Sequence, residues 1–282
     1  MSPEKQEAGK QTVKIAFQGE KGAYSETAVY TFFGANAEVK PCRDFKDVFD
    51  NVKKQSTQFG VVPIENSLEG SVNQTYDLFL KYDLKVRGEV IVKIEHCLIA
   101  NPNTKLSEVK AVYSHPQALA QCRNYLEKSG WELIPTYDTA GSVKILKEEG
   151  LKNAAAVASE RAAELYEMKI LARDIADNPE NYTRFFVLAK EDAPITGKDK
   201  TSIIFAAAHK PGSLYNALGE FSKRDINLAK IESRPTKKKP WEYNFYLDFE
   251  GHRSEPRCSD ALEALKEHAA FTKILGSYPK AS

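Results

Sequence analysis

Thr183, Arg184 and Phe185 put a hydroxyl, a permanent cation and an aromatic face on three successive positions, at the start of an apolar run that continues to Ala189. Such a set could read a small substrate through a hydrogen bond, a charge and an aromatic face. Each residue also has a plain explanation: Thr favours strands, Arg at a strand end is commonly solvated, and Phe is commonly core. Three further polar clusters end or follow apolar runs. Glu65, Asn66 and Ser67 leave the run Gly60–Ile64, where open α/β sheets bind ligands beyond strand carboxyl ends; alternatively Asn66 and Ser67 cap the following helix. Ser114, His115, Pro116 and Gln117 match an S-x-x-Q capping box, the reading favoured by spacing alone, while the His115 imidazole also suits proton transfer or carboxylate binding. Gly19-Glu20-Lys21-Gly22 runs into a helix near Tyr24, whose N–H groups suit a carboxylate or phosphate; a strand-to-helix turn with Ser25 or Glu26 near the cap is the reading favoured by the turn alone. Its spacing matches neither the Walker nor the dinucleotide fingerprint.

The elements that must position these residues follow from periodicity. Val13–Gln18 alternates as a strand, Tyr24–Phe33 reads as a helix with Gly34 as its stop, and Phe45–Lys54 reads as a second helix. Gly60–Ile64 is a buried strand, Ser71–Lys81 a helix, and Leu84–Val92 and His96–Ala100 are strands. Val109–Tyr113 meets a helix predicted over Gln117–Ser129, then come strand Trp131–Tyr137, helix Ala140–Glu149, strand Ala154–Ala158 and helix Ser159–Glu167. Strands alternating with helices predict an α/β domain, with the late strand Phe185–Ala189 returning to its first part. Two lobes exchanging strands would form a ligand cleft. Glu191–Lys200, with Pro194 and Gly197, reads as a linker. Beyond it the order is strand Thr201–Ala208, helix Gly212–Lys223, strand Ile226–Arg234, a Lys237–Pro240 turn, strand Glu242–Phe249, helix Ser259–Ala270 and strand Phe271–Tyr278. That βαββαβ order predicts a ferredoxin-like sandwich.

Composition narrows the classes. At 282 residues the chain exceeds one typical domain, and a net charge of +1 argues against a nucleic-acid surface. Cys42, Cys97, Cys122 and Cys258 form no C-x-x-C pair and no zinc spacing, so reduced thiols and a cytoplasmic protein without metal are expected. No run approaches the roughly 20 apolar residues of a membrane span, and Met1–Thr12 lacks the apolar core of a signal peptide.

Gly19-x-x-Gly22-x-Tyr24-Ser25, Pro63-Ile64-Glu65-Asn66-Ser67, Ser114-His115-Pro116-Gln117-Ala118-Leu119 and Thr183-Arg184-Phe185 together resemble, in order and spacing, the motifs of the prephenate dehydratase family. The C-terminal part resembles that family's ACT regulatory domain, with Pro211-Gly212-Ser213-Leu214 and Ile231-Glu232-Ser233-Arg234-Pro235 in the expected places; Ser213 stands where Ala is frequent. The resemblance covers about residues 13–280 and implies a two-lobed, periplasmic-binding-protein-like catalytic domain over 13–190 (lobe 1 about 13–93 plus 175–190, lobe 2 about 94–174), a linker 191–200 and an ACT domain over 201–280, after a flexible tail 1–12.

It implies conversion of prephenate to phenylpyruvate without redox cofactor or metal, and feedback by L-phenylalanine. Thr183 would hydrogen-bond the departing hydroxyl, with His115 or Glu65 supplying the proton. Asn66, Ser67, Ser114 and Gln117 would orient the substrate, Arg184 and the Gly22–Tyr24–Ser25 helix start would meet its carboxylates, and Phe185 would wall the ring. Pro211, Gly212, Ser213, Leu214, Glu232, Ser233, Arg234 and Pro235 would take phenylalanine, in a homodimer or homotetramer; the plain alternative is a helix start and a Glu232–Arg234 surface pair. Twelve residues before Val13 are too few for a mutase domain, so a monofunctional chain is expected. Arogenate dehydratase shares these motifs, and a solute-binding protein or a non-catalytic amino-acid sensor is the alternative outside enzymes.

Overall fold

The structure is a computed structural model that describes residues 13–207, 210–236 and 241–281; the N-terminal tail and the Lys237–Pro240 turn expected above lie outside the described residues. The chain divides into two compact units. One holds the described residues up to Val61 with Ile94–Asn181, the other Val62–Lys93 with the described residues from Tyr182 onward.

The first unit opens with β1 (Lys14–Gln18), α1 (Tyr24–Phe33), β2 (Glu38–Cys42), α2 (Phe45–Lys53) and the beginning of β3 (Phe59–Asn66), which continues into the second unit. β1 pairs in parallel with both β2 and β3. In the second unit come β4 (Gly70–Ser71), α3 (Asn73–Lys81) and β5 (Lys85–Lys93). The chain returns to the first unit through β6 (Cys97–Ala100), β7 (Ala111–Ser114), α4 (Pro116–Gln121), α5 (Arg123–Glu127), β8 (Glu132–Pro135), α6 (Thr139–Glu148), β9 (Ala154–Ala158), α7 (Glu160–Leu165) and β10 (Lys169–Ala172). These strands form a sheet in the order β10-β6-β9-β7-β8.

Strand β9 shows why this sheet carries helices on both faces. All five of its residues are buried, and successive side chains point to opposite faces. Ala154, Ala156 and Ala158 pack with Ala140, Val143 and Leu146 of α6 and Ala162 of α7. Ala155 and Val157 pack with Ala118 and Leu119 of α4 and Leu126 of α5. The helix predicted over Gln117–Ser129 is broken at Cys122, whose backbone leaves the helical region at φ −114°, ψ 19°.

The second unit ends with β11 (Tyr182–Ala189), β12 (Asp199–Ala207), α8 (Ser213–Ser222), β13 (Leu228–Pro235), β14 (Tyr243–Glu250), α9 (Pro256–His268) and β15 (Ala269–Pro279). β11 lies between β3 and β5, running antiparallel to β5 with Thr183 opposite Val92. β12 to β15 form an antiparallel sheet in the order β13-β14-β12-β15, the ferredoxin-like arrangement expected from the βαββαβ pattern. One face packs Ile203, Phe205, Leu247 and Phe249 against Ala217 and Phe221 of α8 and Ala261, Leu262 and Leu265 of α9. The other face approaches β5 so closely that a Cβ on Gly276 would stand 2.2 Å from the Val86 carbonyl oxygen. The α/β class with an appended ferredoxin-like sheet is thus the architecture of the chain.

Candidate active site

The predicted site residues fall into two groups, one in each unit. In the second unit the centre is Thr183, at the start of β11 and 9% exposed. Its Oγ1 accepts from Asn66 Nδ2 at 3.0 Å, and the same amide donates to the Tyr182 carbonyl at 3.2 Å. Asn66 is held in that orientation because its Oδ1 accepts from the N–H groups of Leu68 and Glu69, each at 3.0 Å, an Asx turn at the end of β3. An amide donating into the threonine oxygen leaves the hydroxyl proton to be given elsewhere. Ser67, exposed, locks the neighbouring backbone: its N–H donates to the Tyr182 carbonyl at 2.8 Å and its Oγ accepts from the Tyr182 N–H at 3.0 Å.

Arg184 and Phe185 stand otherwise than expected. Phe185 is 2% exposed and belongs to the core, since strand alternation turns it to the buried side. Arg184 points to the opposite face, where its guanidinium meets Asp248 at 2.7 Å, Glu65 at 3.0 Å and Glu89 at 3.3 Å. Burial alone would lower its pKa, but the surrounding negative charge, Asp248 foremost, raises it well above the ordinary value. A guanidinium so engaged is an internal counter-ion. Glu65 accepts from Arg184 on one oxygen and from Lys230, at 2.8 Å, on the other. Both carboxylate oxygens of Glu65 are thereby engaged within the second unit.

In the first unit the turn after β1 is fixed by side chains that return to it. Gly22 has φ +91°, and a Cβ there would come within 2.9 Å of Ala162 Cα, so the position excludes a side chain. Its N–H donates to Glu26 at 2.7 Å and its carbonyl accepts from Ser159 Oγ at 2.7 Å. Glu26 is buried and is paired with Arg161 at 3.0 Å; Ser25 is buried beside it in the first turn of α1. The Tyr24 hydroxyl donates to the Glu95 carbonyl at 2.6 Å and stands 3.1 Å from His96 Nδ1. His96 Nε2 faces Gln121 Oε1 at 3.0 Å, which also accepts from Asn181 Nδ2 at 3.0 Å. That amide orientation places the imidazole proton on Nε2.

The capping box expected of Ser114 and Gln117 does not form. Ser114 is still in strand β7, fully buried, and its hydroxyl donates to the Val157 carbonyl at 2.6 Å. His115 caps α4 instead, its Nδ1 accepting from the Gln117 N–H at 3.2 Å, which leaves Nε2 as the donor of the neutral ring. Gln117 is exposed. Asp138, which sequence reasoning passed over, caps α6 by accepting from the Gly141 N–H at 2.8 Å. A Cβ on Gly19 would lie 3.1 Å from one of its oxygens. Burial raises the Asp138 pKa, with Glu20 adding to the rise and the Gly141 hydrogen bond and His115 opposing it. Its sequence signal was the D-x-x-G run before a helical pattern.

Of the residues expected to take an effector, Gly212 opens α8 in the left-handed conformation, φ +81°, and Pro211, Ser213 and Leu214 line a cavity of about 430 Å³ with Ala206, Trp241 and Phe245. The Ser213 hydroxyl is buried without a hydrogen-bond partner among the described residues. Glu232 and Arg234 do not pair with each other. Glu232 accepts from Ser71 and meets Lys230 at 3.3 Å, while Arg234 meets Asp77 at 3.1 Å and the Asn73 carbonyl at 3.0 Å. Ser233 and Pro235, on the alternate face of β13, are exposed. Among the described residues no cluster of His, Cys, Asp and Glu could hold a metal ion, and no helix is long and apolar enough to cross a membrane.

Strand ends carrying hydroxyl, amide and imidazole groups stand where α/β sheets take small ligands, and a ferredoxin-like sheet follows them in the chain. The sequence model described as "Prephenate dehydratase" matches residues 15–193. A bifunctional chorismate mutase/prephenate dehydratase of Aquifex aeolicus is 48% identical over 272 residues, covering 95% of this chain and 74% of the relative. An arogenate dehydratase/prephenate dehydratase 2, chloroplastic, of Arabidopsis thaliana is 44% identical over 279 residues, covering 95% of this chain and 73% of the relative. The solved structure of prephenate dehydratase in complex with L-Phe from Arthrobacter aurescens superposes with a TM-score of 0.87 at 33% identity, covering 95% of this chain and 90% of that one. The chain belongs to the prephenate dehydratase family.

Proposed function

We propose that the chain is a prephenate dehydratase, a carbon–oxygen lyase that turns prephenate into phenylpyruvate for phenylalanine biosynthesis. The reaction breaks the bond between ring and carboxylate, moves that electron pair into the ring, and expels the ring hydroxyl, which leaves as water with one added proton; carbon dioxide is the other product. The observation that carries the reading is the Asn66–Thr183 hydrogen bond, which fills an acceptor site of Oγ1 and leaves the hydroxyl proton available to a departing oxygen. A threonine hydroxyl is a weak acid, so it stabilises the leaving group and a second group or water supplies the proton. We assign that supply to His115, whose Nδ1 accepts from Gln117 N–H and leaves Nε2 as donor, rather than to Glu65, both of whose oxygens are engaged. Within the second unit, Ser67 holds Tyr182 in place.

L-phenylalanine is the effector we assign to the cavity beside α8. Gly212 allows close approach there, the helix N-terminus suits an amino-acid carboxylate, and the buried Ser213 hydroxyl has a bond to give. Pro211–Leu214 carry this assignment, because Glu232 and Arg234 are held by Ser71, Asn73 and Asp77. We further place the protein in the cytoplasm as a homo-oligomer; four buried free thiols suit a reducing compartment. The test is steady-state turnover of prephenate and of arogenate, with and without L-phenylalanine, for the parent and Thr183→Ala. Loss of about 10²–10³ in kcat is expected from removing one preorganised donor. A preference for arogenate would move the substrate, and full turnover in Thr183→Ala would overturn the assignment.

A further inference from the structure

Arg184 and Glu65 flank the Thr183–Asn66 hydrogen bond, Arg184 following Thr183 on β11 and Glu65 preceding Asn66 on β3. Both are held from the C-terminal sheet. Asp248 on β14 meets Arg184 at 2.7 Å, and Lys230 on β13 meets Glu65 at 2.8 Å. Glu65 and Arg184 also meet each other at 3.0 Å, closing a chain from one strand of that sheet to another through the two residues beside the hydrogen bond. Asp248 is itself oriented by Ser202 Oγ, which donates to its other oxygen at 2.6 Å. Behind Arg184, Glu89 accepts from Lys200 of β12 at 3.0 Å, so the guanidinium sits in a neutralised set rather than an excess of either charge. The side chains of Arg184, Asp248, Glu89 and Lys200 are all nearly withdrawn from water.

We propose that Asp248 and Lys230 are positioning residues for the dehydration step, holding Thr183 and Asn66 in register from the C-terminal sheet through Arg184 and Glu65. The proposal rests on the reading of Thr183 as the residue that serves the leaving hydroxyl. Buried ion pairs contribute little net stability compared with apolar packing, but they fix geometry, and breaking one side leaves a charge that must find another partner. Released by Asp248, the guanidinium turns toward Glu89; released by Lys230, Glu65 keeps Arg184 alone and shifts toward it. Either movement shifts the residue next to a hydrogen bond whose length is 3.0 Å. Small misplacements of a reacting group lower the chemical step while leaving ground-state binding nearly intact.

Asp248→Asn, Lys230→Met and Lys230→Arg test this in the full chain, with kcat and KM for phenylpyruvate formation and cooperative urea unfolding measured for each. Asp248→Asn and Lys230→Met should each lower kcat about tenfold with KM nearly unchanged, and Lys230→Arg, which can still meet Glu65, should restore most of the loss. Should Asp248→Asn fail to fold, the Lys230 pair decides alone. Parental kcat in folded Lys230→Met, or a loss that Lys230→Arg does not relieve, overturns the proposal. Thr183→Ala in the same assay separates the premises: if it keeps its turnover, the reading of Thr183 has failed; if it alone loses turnover, only the positioning role has.

Discussion

Replacing Asn66 by aspartate separates the two tasks of this side chain. Its Oδ1 accepts from the Leu68 and Glu69 N–H groups at 3.0 Å, and a carboxylate oxygen accepts them equally well. Its Nδ2 donates to Thr183 Oγ1 at 3.0 Å and to the Tyr182 carbonyl at 3.2 Å, and a carboxylate cannot. In the variant the second oxygen becomes an acceptor facing the threonine, so the hydroxyl proton turns back onto it and, on the role proposed for Thr183, is lost to the departing oxygen. Removing one donor aimed at developing charge lowers kcat by about 10²–10³, or ~2.7–4 kcal/mol of transition-state stabilisation. Setting a carboxylate oxygen against the Tyr182 carbonyl destabilises the fold by about 1–3 kcal/mol. That leaves the unit folded, because typical domains hold ~5–15 kcal/mol. The assay is kcat for phenylpyruvate formation against pH, with urea unfolding of the same samples. As the pH falls and the introduced carboxyl takes up a proton, it regains a donor, so the variant's kcat should rise relative to the parent. A folded variant with parental kcat at neutral pH refutes the reasoning.

Gly22→Ala should weaken the first unit. Its Cβ would meet Ala162 Cα at 2.9 Å at a φ of +91°, and overpacking of ~1–3 kcal/mol with a left-handed penalty of ~1–2 kcal/mol gives a total of about 2–5 kcal/mol, read as a lower urea midpoint at unchanged m-value. An unchanged midpoint would contradict the close contact. Buried His96 makes stability depend on pH. Burial lowers its folded-state pKa below the ordinary value, with the Gln121 hydrogen bond opposing, so the unfolded chain binds the proton first as the pH falls. The contribution is complete above about 6.5 and is lost below it at up to ~1.4 kcal/mol per pH unit, until the folded imidazole titrates. Unfolding free energies at several pH values should therefore fall more steeply in the parent than in His96→Gln, and identical slopes would show that this ring does not carry the effect.

Strongly patterned elements were readable before the structure. The bounds of α1 and β9 coincide with those expected, because α1 has a glycine stop at Gly34 and β9 is a short run of small apolar residues bounded by polar ones. β2 was not foreseen, since Glu38–Cys42 contains Pro41, has one buried residue and shows no alternation. β10, four residues at the edge of its sheet, left a similarly weak trace. The candidate site was readable as a set of strand-end motifs and unreadable in its side-chain partners. Nothing local to Thr183 indicates a donor 117 residues earlier, nor that Arg184 is engaged by a carboxylate 64 residues later. Ser114 misled for a physical reason: its hydroxyl was assigned to the helix start, yet the strand continues through it and the Val157 carbonyl of the adjacent β9 takes its proton, leaving His115 to cap.

The role proposed for the Thr183 hydroxyl is tested most directly by kcat for phenylpyruvate formation in Thr183→Ala beside Thr183→Ser, both checked for cooperative unfolding. Thr183→Ser, which keeps the hydroxyl, should retain much of the turnover, and Thr183→Ala should fall by about 10²–10³. Equal turnover in the two folded variants would contradict it.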